Sequence, residues 1–113
     1  MKRKIIEPRA LARTIDDLTA ERKVLREDLE ALKKELIRDP ESGDIISGTG
    51  GVRKIRLKSV NKGRRGGFRV CYFDDPRREE LFLLKIYGKN EKEDLSAAEK
   101  KSLKEFTERV KGG

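Results

Sequence analysis

The chain has 113 residues and a mass of 13.0 kDa, which is room for one small domain spanning residues 1–113. Charged residues make up 44% and hydrophobic residues 35%, so the core is small and the surface densely charged. No apolar run is long enough to cross a bilayer, and no apolar stretch follows the basic start Met1–Lys4, which argues against a membrane span and a secretory signal. Cys71 is the only cysteine and histidine is absent. A disulfide framework, a multi-cysteine metal site and a histidine base are excluded, and the expectation is a cytoplasmic protein that uses no metal or cofactor.

The formal net charge is +8, and its distribution says more than its size. Residues 1–47 hold 11 Lys/Arg and 11 Asp/Glu, and residues 74–113 hold 10 of each. Residues 48–73 hold eight cations (Arg53, Lys54, Arg56, Lys58, Lys62, Arg64, Arg65, Arg69) and no acid. A solvated face ordinarily mixes both signs. An acid-free segment repels itself and is best explained by an anionic partner, of which nucleic-acid phosphate is the commonest.

In chain order, residues 1–39 read as the helical part, 48–95 as a basic sheet and 96–111 as a final helix. Arg3–Glu7 suggests a short strand, and Pro8 suits a first helical turn. Leu11, Ile15, Leu18, Leu25, Leu29, Leu32 and Leu36 recur at spacings of four and three, with Arg22 in the one missing slot. That stripe permits a single rod, even a coiled coil, or a hairpin folding back between Thr19 and Arg26. Asp39-Pro40 ends the helical pattern. Residues 40–51 are rich in turn formers, with Ile45 and Ile46 as an apolar anchor. Gly48–Gly51 lacks the Lys-Ser/Thr ending of a P-loop and reads as a flexible lead-in to the sheet.

Val52–Lys58 alternates, with Lys54, Arg56 and Lys58 on one side and Arg53, Ile55 and Leu57 on the other. These cations are either a solvated edge or a row reaching into a groove. A cationic loop, Ser59–Gly67, carries Lys62, Arg64 and Arg65. In Phe68–Phe73, Phe68, Val70 and Tyr72 share one face and Arg69, Cys71 and Phe73 the other. Leu81–Tyr87 is the most apolar strand and so the most central. Ser96-Ala97-Ala98-Glu99 is a capping box opening the last helix, whose stripe is Leu95, Leu103, Phe106 and Val110. The sum is an α+β fold: N-terminal helices, as a hairpin, packed on a three- or four-stranded antiparallel sheet with a C-terminal helix.

Arg69 is the most informative residue. A cation on a partly apolar strand face is costly without a partner. Either it pairs with Glu91, Glu93 or Asp94, or it is held to grip a phosphate. A hairpin brings Lys54 and Arg56 beside it, and Lys89 leaves the third strand nearby. Such a cluster suits a phosphodiester and the charge growing on a phosphorane, and a lysine in it could serve as base toward a ribose 2′-hydroxyl. Non-catalytic RNA or DNA binding fits the charge equally well. Most aromatic residues sit at core positions, so an exposed stacking platform is not supported. Cys71 reads as a small core residue.

Asp39–Ile46, Gly48–Arg56, Lys62–Tyr72 and Ile86–Leu95, taken in order, resemble the RelE/HigB toxins of type II toxin–antitoxin modules, the HigB-like branch most closely. The resemblance covers residues 36–110. It implies a helical hairpin on a twisted antiparallel sheet, and a ribosome-dependent, metal-independent endoribonuclease that cuts mRNA in the A site by 2′-hydroxyl attack. It also implies a cognate HigA/RelB-type antitoxin, and no membrane. By matched position the catalytic set falls on Arg69, Lys54, Arg56 and Lys89; Arg53, Lys58, Lys62, Arg64, Arg65 and Lys92 are the further cations expected as RNA contacts. Asn90 stands where the best-known member has an arginine, and that member's C-terminal tyrosine has no counterpart here. The general base therefore stays open between Lys54 and Glu91, with Tyr87 a more distant candidate.

Overall fold

The computed structural model describes residues 3–59, 67–89, 91–92 and 94–113. Lys62, Arg64 and Arg65 lie outside the described residues, as do Asn90 and Glu93. The elements are β1 (Lys4–Ile6), α1 (Arg9–Ala20), α2 (Arg26–Arg38), β2 (Asp44–Ile45), β3 (Arg53–Arg56), β4 (Phe68–Asp75), β5 (Glu80–Gly88) and α3 (Ala97–Gly112).

The leucine stripe folds as a hairpin, not a rod. Arg22, the slot where the stripe fails, takes a left-handed φ of 59°. Lys23 N–H then donates back to the Leu18 carbonyl at 2.9 Å, and Arg26 meets Asp16 at 2.6 Å across the turn. This removes the coiled-coil reading, because both halves of the stripe face one core. Leu11, Ile15, Leu29, Leu32 and Leu36 pack on Ile55, Val70, Tyr72, Leu81, Leu83 and Ile86. On the other face of the sheet, α3 covers Ile46, Val52, Cys71, Phe73 and Tyr87 with Leu95 and Leu103. The β4 alternation expected from the sequence is therefore the wall between two cores.

The sheet has five strands in the order β1-β5-β4-β3-β2, where three or four were expected. It is mixed, because β1 runs parallel to β5 while the other pairs are antiparallel. β1 is fixed at the outer edge by an Arg3–Asp74 ion pair with contacts of 2.7 and 3.2 Å. β2 exists because the turn before it is tied down. The Tyr72 hydroxyl donates to the Pro40 carbonyl and accepts from Gly43 N–H, at 2.9 and 2.8 Å. Only Ile46 is the anchor expected of the Ile45-Ile46 pair; Ile45 is 60% exposed.

Residues 46–52 form a closed turn, not a loose lead-in. The Thr49 hydroxyl donates to the Ile46 carbonyl and accepts from Val52 N–H, at 2.7 and 3.1 Å. The Thr107 hydroxyl of α3 donates to the Thr49 carbonyl at 2.8 Å. Gly50, at φ 75°, lies so close to Thr107 that no side chain fits there. The other end of α3 is held by the β4–β5 turn, where Arg78 donates to the Val110 carbonyl at 3.0 Å and Arg77 to that of Lys111 at 3.1 Å.

A Cβ at Gly43 would sit 2.8 Å from the Lys54 carbonyl oxygen and 2.9 Å from the Tyr72 ring. Gly43→Ala is expected to lower stability by about 1–3 kcal/mol in urea denaturation, since neither a backbone carbonyl nor a buried ring can yield cheaply.

Candidate nucleic-acid interface

The register of the three long strands sets out the cations. Arg56 lies opposite Arg69, and Arg69 opposite Tyr87. Two residues along, Lys54 lies opposite Cys71, and Cys71 opposite Lys85. Both rows are on the α3 side of the sheet, the side of Cys71 and Tyr87. Leu57 N–H donates to the Phe68 carbonyl at 2.9 Å, which makes Arg56 and Arg69 the next, non-hydrogen-bonded pair. Side chains are closest in that kind of pair, so two guanidinium-bearing residues are forced together across β3 and β4. Like charges so placed cost stability, and an anion between them removes the cost.

Arg69 is half-buried and makes no ion pair with a described acid. Its hydrogen bond among the described residues is a long one, 3.5 Å to the Phe68 carbonyl. Of the partners proposed from sequence, Asp94 goes elsewhere, to Lys100 at 3.4 Å and Lys54 at 4.0 Å. Glu91 accepts from Gly88 N–H at 3.1 Å. Arg56 is exposed beside Arg69. Lys89 is exposed at the end of β5, its N–H donating to the Gly67 carbonyl at 2.6 Å.

Two expected RNA contacts take other posts. Arg53 points to the opposite side and donates to the Gly43 carbonyl at 2.7 Å and the Glu41 carbonyl at 3.3 Å. It clamps the turn that Tyr72 also holds. Lys58 falls beyond the last paired residue of β3, so strand alternation no longer aims it. It reaches Glu35 of α2 at 3.9 Å.

Tyr87 is buried, and its hydroxyl has no hydrogen-bond partner among the described residues. Burial raises its pKa, with Arg69 opposing. The phenol thus keeps its proton and suits donation better than proton abstraction. Lys92 Nζ lies 5.5 Å from the centre of its ring. Cys71 is an inert thiol, pushed up to about 11 by burial.

Sequence reasoning missed Lys85, which stands in the strand that reads as most apolar, and saw in Glu99 only a cap. The capping box is present: Glu99 N–H donates to the Ser96 hydroxyl at 3.1 Å, and Ser96 N–H to Glu99 at 2.8 Å. The second Glu99 oxygen holds Lys85 at 3.2 Å and also Lys92. The Lys92 bond first, then the Ser96 amide and Lys85, bring the Glu99 carboxyl down to about 2.

The arrangement is a cationic sheet face whose arginines stand in a closely facing cross-strand pair. A family model for the RelE toxin of the RelE/RelB toxin–antitoxin system matches residues 3–112. The chain belongs to the RelE toxin family. It is thus a toxin of a toxin–antitoxin system. Among solved structures, the free state of a double arginine-to-alanine mutant of the Escherichia coli toxin RelE is similar to it in fold. That match has a TM-score of 0.55 at 20% identity and covers 82% of this chain and 90% of that one. No helix among the described residues of this toxin is long and apolar enough to cross a membrane.

The folded pKa of Glu99 is below the ordinary 4.5, so its stabilisation is complete above that value. It is lost as pH falls from 4.5 toward about 2. Wild type is therefore expected to lose more stability than Glu99→Gln across that interval in acid-titrated thermal melts, while Gln retains the cap.

Proposed function

We propose that this toxin is an endoribonuclease that cuts mRNA on the ribosome, in the A site, and so stops translation. The observation that supports it most is Arg69, half-buried in β4 with no ion pair to a described acid and with Arg56 opposite it in register. A scissile phosphate beside Arg69 supplies the counter-charge that no described acid gives it, and brings the charge that a transition state needs stabilised. Arg69, rigid in β4, is assigned to the phosphorane. Arg56 and Lys54 flank it, and Lys89 extends the face from the end of β5.

The chemistry is internal transesterification. The ribose 2′-oxygen attacks phosphorus, the bond to the 5′-oxygen breaks, and a 2′,3′-cyclic phosphate and a 5′-hydroxyl end result. A base takes the 2′-proton, the role for which Lys54 and Glu91 at the rim of the face are the two candidates, and the departing 5′-oxygen takes a proton up. Tyr87, with its proton held by burial, is set aside as the base. The nucleophile is part of the substrate and the counter-charge comes from arginine, so the step needs no metal. The RelE/RelB description of the family supports a cognate antitoxin as the silencing partner.

Arg69→Gln is expected to abolish growth arrest on induced expression and to lower cleavage in a purified translation reaction at least about 100-fold. The same change removes a like-charge contact, so thermal stability should hold or rise. Retained toxicity would sink the assignment. Loss of RNA affinity without any cleavage by wild type would favour a non-catalytic RNA-binding protein.

A further inference from the structure

The cations of this sheet do not stop at Arg69. Lys85 lies in the second cross-strand row, two residues from Tyr87 along β5, and its side chain is 36% exposed. Lys92, 31% exposed, stands over the Tyr87 ring. Both ammonium groups converge on one oxygen of Glu99, whose other oxygen is fixed by the Ser96 amide. Long lysine side chains ordinarily wander, but these two are gathered by a carboxylate that is itself fastened to the first turn of α3. One row across the sheet reads Arg56, Arg69, Tyr87, with Lys92 over the Tyr87 ring; the next reads Lys54, Cys71, Lys85, so Lys85 stands diagonally from Arg69.

Two residues along a strand span about 7 Å, a step of the order of one nucleotide in an extended single strand. A polynucleotide gripped at Arg69 and leaving toward β5 meets the lysine pair with its next phosphate. We propose that Lys85 and Lys92, preorganised by Glu99, form a second phosphate subsite that holds the backbone phosphate adjacent to the scissile one. This rests on the reading of Arg69 given above and extends it to a residue that the sequence pattern hid. Glu99 is a positioning residue in this site. The pair carries two positive charges against one negative, so it retains attraction for an oxyanion while Glu99 stays in place.

The test uses two uncleavable 2′-deoxy fragments, a dinucleotide with one phosphate and a trinucleotide with two, titrated against the full chain and followed by NMR. Wild type should bind the trinucleotide more tightly. Lys85→Gln should weaken the trinucleotide about five- to tenfold, the size of one charge-assisted contact, and leave the dinucleotide within about twofold. Lys104→Gln, an exposed α3 lysine outside the site, controls for net charge and should weaken both fragments slightly and equally. Glu99→Gln keeps the capping box and releases both lysines from their counter-ion. It removes the carboxylate that gathers the pair, so the trinucleotide preference should shrink even though the net positive charge rises; an unchanged or larger preference would overturn the positioning role, and thermal melts of each variant verify folding.

The subsite is overturned if Lys85→Gln binds both fragments as wild type does, or weakens both equally as the Lys104 control does. It is overturned too if wild type shows no preference for the second phosphate. Failure of the Arg69 reading looks different. There, Arg69→Gln would leave the dinucleotide unaffected while Lys85→Gln still weakened the trinucleotide, which would keep the lysine pair as a phosphate site and remove its neighbour.

Discussion

β4 is buried on both faces, and this double burial directs the chemistry. Val70 and Tyr72 point into the core under the helical hairpin, and Cys71 and Phe73 into the core under α3. A strand gripped from both sides cannot rotate or slip by one residue without exchanging one core for the other. Arg69 inherits that rigidity. It emerges on the α3 side at the end of the strand, where the apolar cover runs out. Arg56 is brought against it by backbone pairing, not by any attraction between the side chains. Packing on both faces of β4 thus holds a half-buried guanidinium where no described acid meets it, as sites built for a charged ligand often do.

The acids of the same face belong to a different layer. Asp94 and Glu99 come from the lead-in and first turn of α3, and both meet lysines of the sheet. Their position depends on where α3 sits, and α3 is fixed along its length. Its N-terminus is closed by the Ser96–Glu99 box, its middle by Thr107 on the 46–52 turn, and its C-terminus by Arg77 and Arg78. Glu99 therefore links helix termination to the electrostatics of the sheet.

Much of this was written in short-range pattern. The helical content was carried by the leucine stripe, but rod and hairpin fitted it alike until the left-handed Arg22 turn decided between them; the β4 alternation was carried by Phe68 to Phe73, and the α3 start by Ser96 and Glu99. The acid-free window was visible by counting. What was not visible was which cations a turn or helix would claim. Arg53 and Arg56 are alike in a linear pattern, yet one closes the Gly43 turn and the other faces Arg69. Lys58 escapes alternation because the last ladder bond to β4 is made by Leu57, and strand ends are poorly marked in sequence. Lys85 was concealed by its apolar neighbours, and the parallel pairing of β1 depends on a partner strand some 75 residues away.

The outermost strands have one more effect. β1 is three residues long and β2 only two, and they form the two borders of a five-stranded sheet. Border strands this short offer another chain little to zip onto, and Lys4 and Asp44 put a charge on each border. β4 and β5, the strands richest in apolar residues, thus sit inside margins that are short and charged.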